Sequence, residues 1–100
     1  MSDSLLWYLF EKNLRQLDSN FSFFDAGGGT GRWSIKVLEN FPESSGVIYD
    51  LSVEMLEEAR KKIVARKGLE KKLKMVIGNL ENLQLGSFQK FDLVFCFHNV

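Results

Sequence analysis

An acid and four glycines stand together in Asp25-Ala26-Gly27-Gly28-Gly29-Thr30-Gly31, directly after the apolar run Phe21-Ser22-Phe23-Phe24. Half of the chain's 8 glycines fall in this one turn. Residues without a Cβ let the backbone reverse sharply and let a ligand come close to the main chain. Asp25, Gly27, Gly29 and Gly31 fit the spacing D-x-G-x-G-x-G without exception. The dinucleotide spacing G-x-G-x-x-G, begun at Gly27, meets Arg32 where glycine is required. Slid back one residue it reads Ala26, Gly28, Gly31, with alanine in place of the first glycine. A P-loop is excluded, because no Gly-Lys-Ser/Thr follows. The plain alternative is a tight strand-to-helix turn that uses glycine for steric reasons alone.

Further polar positions follow apolar runs in the same manner. Asp50 closes Val47-Ile48-Tyr49, Gly78-Asn79 closes Leu73 to Ile77, and His98-Asn99 follows Phe91 to Phe97. An acid about 20 residues beyond a glycine turn suits the paired hydroxyls of a ribose. The alternative for Asp50 is a turn residue ahead of the helix cap Ser52. His98 is the single histidine and the candidate base for deprotonating an acceptor. Orienting the turn after the strand, or lining a pocket, is its other role. Cys96, inside an apolar run, reads as core, and no metal site is expected.

The elements that must position these groups alternate. A helix is expected over residues 4–17, capped by Asp3 or Ser4, with Leu6, Phe10, Leu14 and Leu17 at helical spacing. Strands are expected over 21–25, 47–50, 73–77 and 91–97, the last nearly all apolar, as if both faces of a sheet were covered. Helices are expected over 31–41, with Ile35, Leu38 and Phe41 inward and Pro42 beyond it, and from the Ser52 cap to Lys67. On the second of these, Glu57 with Lys61 and Glu58 with Lys62 are spaced for ion pairs, and Gly68 is placed to end it. Residues 79–90 carry only a weak helical pattern. Such alternation specifies an α/β domain with a parallel sheet. Ligands of such sheets bind beyond the carboxyl ends of the strands, where all the polar residues above fall.

Composition narrows the classes further. One hundred residues make one domain, 1–100, and 45% hydrophobic content makes it globular rather than disordered. Thirteen basic and 13 acidic side chains leave no net charge to draw nucleic acid or membrane. The eight basic residues between Arg60 and Lys74 alternate with acids and read as a solvated helix face. Leu5 to Phe10 is too short to span a bilayer, and no targeting segment is visible. A single cysteine excludes an internal disulfide and suits a reducing, cytoplasmic setting.

Asp25 also bears on the ligand. A carboxylate beside the glycine turn would repel a pyrophosphate, whereas a ligand with an ammonium and a sulfonium favours it. S-adenosylmethionine is such a ligand. FFDAGGGTGRW, VIYDLSVEMLEEARKK, VIGNLENL and FDLVFCFHNV, in that order, resemble the motifs of class I S-adenosylmethionine-dependent methyltransferases. The resemblance covers most of the chain from Phe21 onward and implies a Rossmann-like sheet of strand order 3-2-1-4.

It also implies roles for residues. Backbone around Ala26, Gly27, Gly28, Gly29 and Gly31 would hold the methionine amino group, with Asp25 supporting the loop and its charge. Asp50 would take the ribose hydroxyls and Leu51 would pack on the adenine. Asn79, where many members carry Asp, would meet the adenine amino group, and the Leu80 N–H a ring nitrogen. Phe97 or its neighbour would border the transferable methyl. If the first helix closes the pocket, Trp7, Tyr8 and Arg15 lie over the cofactor, with simple packing as the alternative there and at Trp33. S-adenosylhomocysteine would be the product, and the methyl acceptor stays open.

Family sheets have seven strands, and four are present before Val100. The expectation is an amino-terminal, cofactor-binding half, with a homodimer through the fourth-strand edge if it stands alone. An NAD-dependent oxidoreductase and a non-catalytic nucleoside-binding or assembly module are the competing readings.

Overall fold

The computed structural model describes residues 3–97. Its core is a four-stranded parallel sheet of β1 (Ser22–Ala26), β2 (Ser45–Asp50), β3 (Leu73–Ile77) and β4 (Leu93–Phe95) in the order β3-β2-β1-β4. The parallel direction is that expected from the alternation of strands and helices, and the order is the one the family resemblance implies. Order reverses between β1 and β4, so the crevice of such a sheet opens above β1. The register aligns Ala26 with Tyr49 and Asp50 with Ile77, which brings the carboxyl ends of β1, β2 and β3 to one level.

Helices α1 (Asp3–Leu14), α2 (Arg32–Asn40) and α3 (Val53–Val64) bury their apolar sides in one cluster. Phe10 and Leu14 come from α1, Ile35, Val37 and Leu38 from α2, and Leu56, Ala59 and Ile63 from α3. Phe23, Ile48, Leu73 and Phe95 of the sheet complete it. Side chains alternate along a strand, so Phe24 projects to the other face. There it meets the rings of Tyr49, Phe88 and Phe91 at 5.2–5.6 Å. Residues 79–90, expected to be mostly irregular, hold two short 3-10 turns, Leu80–Asn82 and Leu85–Phe88. The second turn brings Phe88 to Phe24.

Several expectations are corrected. β4 is shorter than residues 91–97 and is not covered on both faces, because Val94 is 42% exposed. Phe88 and Phe91 cover Phe24 but leave Val94, its neighbour in register, open. Cys96 is not core; it lies past the last β4 pairing and is exposed. α3 ends at Val64 rather than Lys67, and Gly68 (φ 85°) precedes a further 3-10 turn, Leu69–Lys71. On α3, Glu57 pairs with Arg60 and Glu58 with Lys61, three residues on instead of four. Arg60 captures Glu57 because its fork meets both carboxylate oxygens, at 2.6–3.1 Å. No helix among the described residues is long and apolar enough to cross a membrane.

Candidate functional site

The glycine turn is built by steric need. Gly27 N–H donates to the Tyr49 carbonyl at 2.7 Å, which carries the β1–β2 ladder one step past the strand. The chain then doubles back, with Gly31 N–H on the Gly28 carbonyl at 3.0 Å. A methyl group on Gly28 would fall 2.6 Å from Asp25 Cγ and 2.7 Å from Ile48 Cγ2, so only glycine fits over β1 there. Gly29 has φ 54°, the left-handed conformation that favours glycine, and its N–H faces β2.

That N–H finds Asp50. Asp50 Oδ2 accepts from Gly29 N–H at 2.8 Å, and Oδ1 accepts from Ser52 N–H at 2.9 Å. Ser52 in turn caps α3, its hydroxyl oxygen accepting from Met55 N–H at 3.2 Å. The carboxylate is therefore held between the glycine turn and the start of α3. Each oxygen keeps a lone pair beyond these bonds for a hydroxyl donor.

Asp25 lies under the turn, 2% exposed. The hydroxyl of Ser34, fully buried on α2, donates to Asp25 Oδ2 at 2.6 Å. Burial raises the Asp25 pKa to about 6; the Ser34 bond opposes this and the Asp50 charge adds to it. At neutral pH the group is predominantly charged. Ser34 was not among the residues singled out from sequence. Its signal was available, however: it shares the inward face of α2 with Leu38, one turn on, where a hydroxyl must find a partner.

At the ends of β2 and β3, Leu51, Ile77 and Leu80 are 66%, 59% and 40% exposed. Asn79 lies beside them, with its carboxamide oxygen accepting from Glu81 N–H at 2.9 Å and so starting the 3-10 turn. The Tyr49 hydroxyl donates to the Asn79 carbonyl at 3.3 Å, a second contact missed from sequence. Exposed apolar side chains beside a polar amide suit one face and one edge of a flat heterocycle.

Phe97 belongs to an aromatic wall. Its ring lies 4.8 Å from Trp33 and 4.8 Å from Phe10, and Trp7 stacks on Trp33 at 6.4 Å. Trp33 is the second residue of α2, just after the glycine turn, so the wall flanks the turn on the α1 side. Of the three candidates on the first helix, which ends at Leu14 rather than at residue 17 and so leaves Arg15 just beyond it, Trp7 alone joins the wall. Tyr8 is 55% exposed, and Arg15 lies near Phe41, at the far end of α2 from the glycine turn. Arg15 follows the end of α1 at Leu14, so the length of the helix beyond Trp7 carries it away from the strand ends. His98 lies outside the described residues.

Asp25, Gly27, Gly29, Asp50, Leu51, Asn79, Leu80 and Phe97 are thus gathered at the carboxyl edge. The acceptor pair of Asp50, the exposed apolar rim and the charge beneath the turn match the donors, flat ring and cation of an adenosyl amino acid.

A family model described as a methyltransferase domain matches residues 23–100. Malonyl-[acyl-carrier protein] O-methyltransferase 2 of Ilyobacter polytropus is 32% identical over 75 residues, which is 75% of this chain and 27% of that protein. A solved S-adenosylmethionine-dependent methyltransferase from Clostridium acetobutylicum aligns with TM-score 0.67 and 30% identity, over 89% of this chain and 33% of its own. PKMT2 from Rickettsia typhi, solved in complex with AdoHcy, aligns with TM-score 0.66 and 26% identity, over 78% of this chain and 14% of its own. The chain spans about a quarter of the length of the curated relatives it matches. With the family match extending over residues 23–100 and the 3-2-1-4 sheet beneath it, the chain belongs to the class I S-adenosylmethionine-dependent methyltransferases.

Proposed function

We propose that this chain binds S-adenosylmethionine and serves as the donor-holding part of a methyltransferase. The observation that carries this reading is the Asp50 carboxylate, clamped between Gly29 and Ser52 at the end of β2 with acceptor capacity to spare. Asp50 would hold the ribose hydroxyls, Leu51 and Leu80 the faces of the adenine, and Asn79 its edge. The backbone of Ala26, Gly27 and Gly28, above the Asp25 charge, would hold the amino acid end.

When bound, the cofactor supplies a methyl group already activated on sulfur. The protein's contribution is then alignment and exclusion of water rather than covalent help. Trp33 and Phe97 give the methyl side an apolar wall, and His98 is the group proposed to take a proton from an acceptor. The lone Cys96, exposed and without a disulfide partner, supports a reducing cytoplasmic location.

A thermal melt with S-adenosylhomocysteine, and NAD as control, tests the reading. At 100 times its dissociation constant a ligand adds about 2.7 kcal/mol, a clear shift for a domain of this size. A shift with S-adenosylhomocysteine alone is expected. A cooperative melt that neither ligand moves, or that NAD alone moves, would overturn it.

A further inference from the structure

Ser34 stands out among the buried polar groups. A serine inside a helix ordinarily turns its hydroxyl back to the carbonyl four residues earlier or out to water. Here the hydroxyl leaves α2, crosses to β1 and donates to Asp25 at 2.6 Å, with both residues buried. It does not cap its own helix, which begins at Gly31 with no side-chain cap. Asp25 in turn lies against the glycine backbone, since a methyl group on Gly28 would overlap its carboxylate. Ser34, Asp25 and Gly28 thus form a stack that ends at the ligand side of the turn.

Among the described residues, the surroundings of Asp25 leave few other groups to hold its charge. β2 contributes Ile48 beside it and the repelling Asp50, β4 contributes Phe95, and α2 contributes Ser34. Removing the hydroxyl would leave a buried carboxylate facing apolar neighbours and a like charge, and such a group takes up a proton.

We propose that Ser34 is a positioning residue for the ammonium group of the cofactor, acting by keeping Asp25 oriented and charged beneath the glycine turn. The inference rests on the donor-binding reading above. It separates the two halves of the ligand: affinity for the amino acid end depends on Ser34, and affinity for the nucleoside end does not.

The test compares S-adenosylhomocysteine with 5′-methylthioadenosine, which keeps the nucleoside and sulfur but lacks the amino acid end. Calorimetry from about pH 5 to about pH 8 gives the ratio of the two affinities. In the unmodified chain the ratio should fall as pH drops through about 6, where Asp25 protonates. Ser34→Ala should lower the ratio about tenfold near neutral pH, the scale of one charge-assisted hydrogen bond, and move its midpoint to higher pH. Ser34→Thr, which restores the hydroxyl, should recover the ratio. His98→Gln, which removes the chain's single histidine, should leave the midpoint in place. Equal weakening of both ligands in Ser34→Ala would make Ser34 merely structural and overturn the proposal. A ratio independent of pH in the unmodified chain, or a midpoint lost in His98→Gln, would overturn it even if Ser34→Ala fails to fold. Tight binding of both ligands would leave the donor-binding reading standing in those cases, whereas binding of neither would remove both.

Discussion

The N–H of Gly29 donates to Asp50 Oδ2 at 2.8 Å, joining the glycine turn after β1 to the acid that ends β2. The bond forms where the glycine turn, with Gly29 at φ 54°, passes the end of β2, because parallel pairing brings the two strand ends to one level. One carboxylate therefore shapes the loop and presents the acceptors that a ribose needs.

Asp50→Ala removes both functions at once. Loss of S-adenosylhomocysteine binding is expected by calorimetry, with the fold retained in circular dichroism. The lost bonds to Gly29 and Ser52 should cost about 1–3 kcal/mol in a denaturant melt. Affinity equal to that of the unmodified chain would remove Asp50 from the site.

Gly28→Ala places a methyl group 2.6 Å from Asp25 Cγ and 2.7 Å from Ile48 Cγ2. Neither is the free end of a flexible chain, so the loop must lift. Destabilisation of about 1–3 kcal/mol is expected, together with weaker cofactor binding. A melt and an affinity both unchanged would show that the turn has slack the structure does not suggest.

Asp25 links stability to pH. Its pKa is raised from 3.8 to about 6 in the folded chain, chiefly by burial. The native state therefore binds the proton more tightly, and the stability this contributes is full below about pH 3.8 and lost as pH rises through about 6. The loss is on the order of 2–3 kcal/mol. Asp25→Asn should flatten this part of the stability profile and raise the melting temperature near neutral pH while weakening S-adenosylhomocysteine. A variant that keeps the slope between about pH 4 and about pH 7 would assign it to another group.

Phe10→Ala tests how α1 is attached. Phe10 meets Phe95 at 5.0 Å and Phe97 at 4.8 Å and is 8% exposed. Its truncation should cost about 3–5 kcal/mol. Faster proteolysis within α1 is the expected companion; a melt lowered by far less would mean that Trp7 and Leu14 hold the helix alone.

Local chemistry made much of this legible in advance. The D-x-G-x-G-x-G spacing, the Ser52 cap and the alternation of apolar runs act over a few residues, and β3 falls on Leu73–Ile77 as its pattern reads. The parallel direction followed from the alternation of strands with helices, although the β3–β4 connection holds only 3-10 turns, and the order followed from the family resemblance. The ends of α3 and β4 were misread because both depend on what lies outside them. Apolarity in Val94 and Cys96 looked like two-sided burial, yet Phe88 and Phe91 pack on Phe24 while Val94 and Cys96 stay exposed. Glu57 chose Arg60 over Lys61 because a guanidinium fork can meet two oxygens at once, a preference that spacing alone does not express.

The identity of the polar residues at the strand ends was written in the sequence, because each follows its own strand directly. Their partners were not. Ser34 meets Asp25, Gly29 meets Asp50, and Tyr49 meets the Asn79 carbonyl through contacts between separate elements. Such pairs depend on sheet register and on how α2 seats against β1, and register is settled by packing of the whole cluster. Trp7 on α1 and Arg15 just past its end part company for the same reason: the seating of α1 sends one to the site and the other to the far end.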